Sequence, residues 1–266
     1  MAEIKKAVAL VRTREELAEG IFSMWLEERE IAEHSVPGQF LSVYCKDAGR
    51  LLPRPISICE IDRAAGTVRI VFRMAGAGTK ELSGYKAGEE LEIMGPLGIG
   101  YHTENINKAI LIGGGIGIPP LLALAKELTC EKIIVLGYRD STMFLKDEFE
   151  KYGRIIISTE DGSVGTKGNV IDAINACKAD GMISDDCNRE ITIFSCGPTP
   201  MLRGVKAYAI NNGIPAQLSL EERMACGIGA CLACVCKSTE IDHHSHVHNK
   251  RVCKDGPVFW AEEIEL

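Results

Sequence analysis

Three cysteines stand close together, Cys226, Cys231 and Cys234, spaced C-x4-C-x2-C, and a fourth, Cys253, follows after 18 intervening residues. Thiolates at this spacing are the plant-type ligand run for a [2Fe–2S] cluster. Two iron atoms need four thiolates from nearly one direction, so one tight loop must supply three of them. Gly227, Gly229, Ala230 and Ala233 leave the backbone room to curl and to bring amides up to the sulfurs. Two other readings compete: a zinc site, because Cys231 and Cys234 form a C-x2-C pair, or plain buried thiols. A zinc ribbon normally supplies two such pairs and Cys253 has no mate, so the cluster fits the full spacing better. Cys236 competes with Cys253 for the fourth place. It follows Cys234 by only two residues, however, and has little freedom to reach a second iron.

Two stretches could hold an anionic cofactor near the start of the chain. In Arg54-Pro55-Ile56-Ser57 the guanidinium can clamp a pyrophosphate, and the Ser57 hydroxyl can meet an edge nitrogen of a flavin ring. In Gly76-Ala77-Gly78-Thr79, glycines precede a short helix expected over residues 80–82 and can expose amides to phosphate. Taken alone, these are a surface charge and a turn. Two further loops belong to the middle of the chain. Gly113-Gly114-Gly115-Ile116-Gly117 follows a short apolar run and precedes Pro119-Pro120, a helix start. It can cradle a dinucleotide pyrophosphate, although Ile118 takes the place of the last glycine in a GxGxxG pattern. Cys196-Gly197-Pro198 likewise stands between an apolar run and a helical stretch.

The elements that must carry these residues change character along the chain. Alternating apolar stretches over residues 21–26, 39–45, 55–61, 67–74 and 90–94, punctuated by Gly and Pro, read as short antiparallel strands of a barrel or sandwich. Residues 1–30 are charged and carry no apolar leader. From residue 108 strands and helices alternate. Strands are expected at 109–112, 133–137, 154–158, 191–195 and 216–220, and helices at 119–128, 143–151, 169–177 and 201–212. That alternation implies an open parallel sheet with ligands at the carboxyl ends of its strands. The expected division is residues 1–102 for the barrel, 103–217 for the α/β domain and 218–266 for a small C-terminal cluster domain.

Composition narrows the class. The chain has 266 residues, 46% of them hydrophobic, with net charge −7 and a pI near 5.5, which argues against nucleic-acid binding. Five of its eleven cysteines crowd into the last 41 residues at cluster spacing, which fits a reducing cytoplasm better than a disulfide framework. The 17 uncharged residues 109–125 hold too many glycines and prolines for a membrane span. His243, His244, His246 and His248 sit among polar neighbours and read as a solvated loop rather than a metal site.

The order R-P-x-S, a strand ending Val71-Phe72-Arg73, then Gly78-Thr79 and Met94-Gly95-Pro96-Leu97-Gly98, resembles the FAD domain of the ferredoxin–NADP reductase superfamily. Where that superfamily has an aromatic residue before the serine, this chain has Ile56. The resemblance implies FAD held by Arg54, Pro55, Ile56, Ser57, Val71, Phe72, Arg73, Gly78 and Thr79. It further implies NAD along Gly113, Gly114, Gly115 and Gly117, with Cys196, Gly197 and Pro198 bordering the nicotinamide. Ser57 and Cys196 would then be the catalytic pair. Tyr138-Arg139-Asp140 offers one cation and one opposing acid after the second strand, which leans to NAD over NADP.

With Met224 to Cys231 and the tail Val252-Cys253-Lys254-Asp255-Gly256-Pro257-Val258-Phe259, the chain as a whole resembles electron-transfer subunits of NAD-dependent, class 1B dihydroorotate dehydrogenases. The resemblance implies a partner subunit with FMN, in a heterotetramer of two of each. Electrons would pass by way of the cluster and FAD to NAD+, in de novo pyrimidine (UMP) biosynthesis in the cytoplasm. The reductase subunit of an NAD(P)H-dependent ferredoxin oxidoreductase or sulfhydrogenase would share all three cofactor sites. A metal-binding scaffold without redox activity is the reading from another class. Nothing in the chain itself points to a dihydroorotate site.

Overall fold

The computed structural model describes residues 4–179, 190–241 and 246–266. His243 and His244 lie outside the described residues, and His246 and His248 are exposed. Six strands close an antiparallel barrel: β1 (Lys5–Ala18), β2 (Ile21–Glu27), β3 (Phe40–Val43), β4 (Arg54–Asp62), β5 (Thr67–Arg73) and β6 (Glu90–Leu97), in the order β1-β2-β5-β4-β3-β6. Their alternation sends Met24, Leu26, Leu41, Ile58, Ile70, Leu91 and Ile93 into one core, with Phe22 stacked on Phe72 at 5.9 Å. α1 (Arg29–His34) and α2 (Ala77–Ser83) fill two of the connections.

β1 is absent from the sequence expectation, which took residues 1–30 as charged. Along its 14 residues only Ala9 and Val11 are buried. The charged side chains face outward instead, where Lys6 pairs with Glu92 and Arg12 with Glu27. A strand whose inner face is so short carries almost no period-two signal, and its pairing with both β2 and β6 is what defines it.

The second sheet is built from β7 (Lys108–Gly114), β8 (Glu131–Tyr138), β9 (Arg154–Thr159), β10 (Thr166–Lys167), β11 (Ile191–Cys196) and β12 (Ala216–Ser219). These run parallel in the order β10-β9-β8-β7-β11-β12. The chain starts in the middle at β7, moves one way through β8, β9 and β10, then returns to β11 on the other side. The strand order therefore reverses between β7 and β11, which opens a crevice at their carboxyl ends. Residues 109–114 are buried throughout, as expected of a strand covered on both faces. α3 (Pro120–Glu127) is apolar nearly all round because it is wedged between this sheet and β4 of the barrel. α5 (Val170–Ala179) and α6 (Thr199–Asn212) pack on each other and on the sheet.

Helix α4 (Lys146–Phe149) is much shorter than the expected 143–151. Leu145 adopts φ of 63°, and Phe144 and Leu145 are buried, with the Tyr138 hydroxyl donating to the Phe144 carbonyl at 2.9 Å. Anchoring these two side chains in the core uses backbone that would otherwise have been the first helical turn.

The C-terminal segment lends a strand to the nucleotide sheet. β13 (Val235–Lys237) and β14 (Asn249–Arg251) form a small hairpin, but β15 (Val258–Trp260) pairs antiparallel with β12 at the edge of the parallel sheet. Leu97, Cys234, Val252, Cys253 and Phe259 accordingly share one hydrophobic core with Ile110, Ile193 and Leu218.

Barrel and sheet are joined by groups that sequence patterning did not flag. A register shift in β4 between Ile58 and Glu60 turns the Glu60 carboxylate inward, opposite Arg69 on β5. Arg69, 5% exposed, donates to Glu60 at 2.7 Å, to Ser23 at 2.8 Å and to both carboxylate oxygens of Glu148 on α4 at 2.6 and 3.1 Å. Lys126 on α3 reaches the second Glu60 oxygen at 2.6 Å. Burial pushes the Glu60 carboxyl up, but its bonds to Lys126 and Arg69 outweigh that and hold it below the usual carboxylate range. At a second joint the fully buried Gln217 accepts from the His102 amide and donates to its carbonyl, both at 2.8 Å.

Candidate functional site: three cofactor cradles in a row

The cluster loop begins where β12 ends. Positive φ at Gly227, Gly229 and Leu232 curls it so that main-chain amides face sulfur: Gly229 N donates to Cys253 Sγ at 3.1 Å and Ala230 N to Cys226 Sγ at 3.3 Å. Cys253 N donates to Cys234 Sγ at 3.4 Å. Burial works against ionising Cys226, but the amides of Ile228, Cys231 and Ala230 and the Cys231 thiol outweigh it, bringing Cys226 down to about 6. Burial and the adjacent Cys234 thiol push Cys253 up to about 12. A thiol that resists ionising by itself becomes a ligand when a cation supplies the opposing charge. Among the described residues no three such side chains converge on a single metal ion. A two-iron cluster asks only for two thiolates at each iron. Cys236, by contrast, lies on β13 opposite Lys250, and its side chain packs on the shared core. Cys231, Ile228 and Leu232 are exposed, so the loop presents its outer rim to the surroundings.

The inner rim touches the barrel. A Cβ on Gly227 would stand 2.9 Å from Ser42 Oγ of β3 and 3.3 Å from Leu97 of β6. Only a residue without a side chain lets the cluster loop lie this close to the strands that border Arg54 and Ser57, and Phe40 of β3 is in register with Ser57 of β4.

On the barrel, the Arg54 side chain lies over the start of α2 so closely that a Cβ on Gly78 would run into its guanidinium. Arg50 donates to the Ala77 carbonyl at 2.9 Å and pairs with Glu81 at 2.5 Å. Arg50, Arg54 and Ala75, Gly76, Ala77, Gly78 and Thr79 line a cleft of about 370 Å³. Two guanidiniums beside a glycine turn are chemically suited to a pyrophosphate. Thr79 has a different part: its Oγ1 accepts from the amides of Ala75 and Gly76 at 2.8 and 3.1 Å, which holds the turn in shape. Ile56, Val71 and Phe72 are buried in hydrophobic cores, so they can offer a ligand main chain only. Pro55 is exposed and Ser57 half-buried, on the strand face opposite Ile56. Arg50 was missed by motif reading, although its spacing of four from Arg54 is visible in the chain.

At the crevice between β7 and β11, Cys196 pairs in register with Gly113 on one side and Ser219 on the other. Gly115 has φ of 53°, and a Cβ on Gly117 would collide with the Cys196 carbonyl. The glycine turn is thus pressed against the Cys196-Gly197 backbone. Gly114, Gly115, Pro198 and Met201 line a cleft of about 550 Å³ that runs on to Tyr138, Arg139, Asp140, Ser158 and Glu160. Gly113 and Gly117 pack behind it against Ile118 and Cys196 and do not line it. Burial pushes the Cys196 thiol up to about 12, against the pull of the Ser219 hydroxyl, which keeps it neutral; Cys196 and Gly197 do not line the cleft, and of this loop Pro198 does. Arg73 leaves the barrel at the end of β5 and enters this same cleft, its Nη2 3.7 Å from where a Cβ on Gly115 would lie. The sequence grouped Arg73 with the flavin residues; its side chain lies beside Gly115 of the glycine turn.

Comparison with known proteins agrees with this arrangement. Residues 221–265 match the family described as the iron-sulfur cluster binding domain of dihydroorotate dehydrogenase B. The chain is 43% identical over 259 residues to the dihydroorotate dehydrogenase B (NAD(+)) electron transfer subunit of Fusobacterium nucleatum, spanning 94% of this chain and 95% of that one. The protein of the same name from Bacillus velezensis is 41% identical over 272 residues, spanning 99% and 100%. Among solved structures, that of an NADH-dependent reduced ferredoxin-NADP oxidoreductase superposes with TM-score 0.84 at 28% identity, covering 97% of this chain and 90% of that one. Full-length identity at this level leaves one assignment: the chain belongs to the family of dihydroorotate dehydrogenase B (NAD(+)) electron transfer subunits.

Proposed function

We propose that this chain relays electrons from an FMN-containing dihydroorotate dehydrogenase subunit to NAD+. In this reading Cys226, Cys231, Cys234 and Cys253 hold a [2Fe–2S] cluster, and Arg54, Ser57 and the 76–79 turn hold FAD. NAD lies along the 113–117 turn with its nicotinamide near Cys196. The cluster supplies one-electron chemistry, the nicotinamide accepts a hydride, and a flavin between them converts one into the other. The residues of the chain bind, space and shield these groups. Arg50 and Arg54 neutralise phosphate, Ser57 meets the ring edge, and the Gly227 contact with Ser42 keeps the cluster loop against the flavin face. Pro198 and Met201 line the cleft at the nicotinamide end, with the neutral Cys196 thiol at the strand end behind them.

The observation that carries the reading is this packing order: cluster loop on barrel, barrel strand β5 on glycine turn, so that three cradles follow one another without an intervening layer. The outer rim of the cluster loop, with Ile228 and Leu232 exposed beside Cys231, suits a partner that hands over single electrons there. The paired assembly, as a heterotetramer in the cytoplasm serving pyrimidine synthesis, is part of the same proposal. So is the division at residues 102 and 217, with β15 lent back to the sheet. Among the described residues no helix is long and apolar enough to cross a membrane.

Co-purification from the native source with cofactor analysis tests it. A partner carrying FMN, with dihydroorotate-driven NAD+ reduction by the complex, is the expected result. The likeness to an NADH-dependent ferredoxin-linked reductase favours one rival, a chain with the same cradles and a ferredoxin as its partner. Recovery of a ferredoxin partner and no dihydroorotate turnover would decide for that rival.

A further inference from the structure

The joint between the barrel and the α/β domain is made of two kinds of contact. Cys59 and Val71 of the barrel pack with Ile118, Leu121 and Phe149 of the other domain in one apolar core. Apolar burial holds two surfaces together but is non-directional, so it leaves them free to slide and turn. Beside that core lie four charged side chains, Glu60 and Arg69 of the barrel and Lys126 and Glu148 of the α/β domain. Well-packed apolar groups would hold the domains about as firmly, because charges withdrawn from water recover little more than their lost hydration. What the charges add is direction. The Arg69 guanidinium meets both Glu148 oxygens, at 2.6 and 3.1 Å, in a two-pronged bond that fixes angle as well as distance.

These four side chains stand where orientation matters. Arg69, Val71 and Arg73 alternate onto one face of β5, so the strand that carries the joint also carries Arg73 into the cleft beside Gly115. Glu148 follows four residues after Phe144, which lines the same cleft with Thr142 and is held by the Tyr138 hydroxyl. Lys126 lies on α3, whose chain leaves the 113–117 turn, with Ile118 N donating to the Gly115 carbonyl at 3.1 Å. Two walls of the cleft, the glycine turn and the 140–144 segment, are thus pinned to one barrel pair. That pair is a fixed socket: the Arg69 and Glu60 side chains are 7% and 9% exposed, whereas those of Glu148 and Lys126 are 38% and 39% exposed. The α/β domain therefore engages the socket from its solvent side.

We propose that Glu60, Arg69, Lys126 and Glu148 are positioning residues for hydride transfer: they set the angle at which the α/β domain presents the nicotinamide to the flavin of the barrel. The inference rests on the NAD and FAD reading above. In the step, NADH gives up a hydride, one proton with an electron pair, to FAD and leaves as NAD+. Donor and acceptor are held by different domains, so a small turn at the joint moves one against the other. A displacement on the order of 1 Å can cost about a hundredfold in rate.

The test is anaerobic stopped-flow reduction of the flavin in the purified native complex, with NADH and with NADH deuterated at the transferred position. Glu148→Gln should lower the limiting rate of flavin reduction at least about tenfold, with the NADH dissociation constant changed less than about threefold and the primary isotope effect fully expressed. Arg69→Lys, which keeps the charge and loses the fork, should lower the rate likewise, and the double variant should be no slower than the slower single one. Glu150→Gln, at the end of the same helix and paired with Lys146, should change nothing. Glu148 is half-exposed, so Glu148→Gln should fold, and retained flavin and iron contents check that it does. A purely structural pair would lower the melting temperature and leave the limiting rate alone, and that result overturns the proposal. So does a rise in the NADH dissociation constant as large as the loss of rate, which would assign the pair to the cleft wall instead. Either result leaves the NAD reading in force, whereas failure of NADH to reduce the wild-type flavin removes that reading and this inference together.

Discussion

The cluster loop and the dinucleotide cleft are built on opposite plans. In the loop, three of four sulfurs come from nine consecutive residues, and the donors that tune them are amides of those same residues, Ala230 for Cys226 and Gly229 for Cys253. The cleft draws on β1, β2, β5, β7, β8, β9, α5 and α6, and its members, from Ala18 to Met201, span more than half of the chain. A site of the first kind depends on local backbone curl and one distant tether. A site of the second kind exists only once a strand order has been set and a second domain has docked. Damage to the loop should thus be all-or-none and local, whereas damage to the cleft should be graded and sensitive to the domain joint.

The sharpest test of the local plan is Cys253→Ser. It should abolish or strongly destabilise the cluster, read as loss of visible absorbance and of bound iron, while Cys236→Ser keeps both. The flavin should remain reducible by NADH in Cys253→Ser, because that hydride step needs no iron, and dihydroorotate-driven NAD+ reduction should stop. An intact cluster in Cys253→Ser with a lost one in Cys236→Ser would break the picture of a single tether.

Arg54→Ala comes next. Most of the bound FAD should be lost on gel filtration while iron content stays near normal, since Arg54 lies on the 76–79 turn and not on the cluster loop. Full FAD occupancy would show that Arg50 and main chain suffice.

At the joint, Arg69→Ala leaves the Glu60 carboxylate buried without its guanidinium and should cost about 3–5 kcal/mol of stability. Differential scanning calorimetry reads this directly. The same network predicts a pH dependence. Glu60 is held below its ordinary value, so its contribution is fully present above the unfolded pKa of about 4.3 and is lost as pH falls through the lower folded value. The wild type should lose melting temperature more steeply than Glu60→Gln as pH falls below about 4.3; parallel curves would refute it.

The smallest effect expected is graded. Gly115→Val should raise KM for NADH by about tenfold with flavin and iron contents unchanged, because φ of 53° strains a branched residue and the side chain crowds Arg73. Unaltered NADH kinetics would remove the 113–117 turn from the dinucleotide path.

Much of the architecture was legible in the chain because it rests on short-range rules. Period-two alternation marked five of the six barrel strands, and alternating β and α units marked the parallel sheet. β1 escaped because only two of its residues face the core. α4 was overdrawn because the burial of Phe144 and Leu145, a tertiary contact, displaced the helix start. In the sites, the cysteine spacing and the glycine turns were visible by themselves.

What the chain by itself determined, then, is the cluster loop, the R-P-x-S and glycine turns, and the succession of barrel, sheet and tail. Each depends on residues adjacent in sequence, where backbone geometry and ligand spacing leave few alternatives. Only the tertiary structure decided that Arg73 enters the cleft beside Gly115, that Glu160 and Ser158 share one end of it, that Arg69 bridges Glu60 to Glu148, and that β15 returns to the parallel sheet. In each of these the partners come from different elements, and a charged or small residue carries no signal of which distant surface it will meet. The meeting is set by strand order and domain docking, which arise from burial summed over the whole chain.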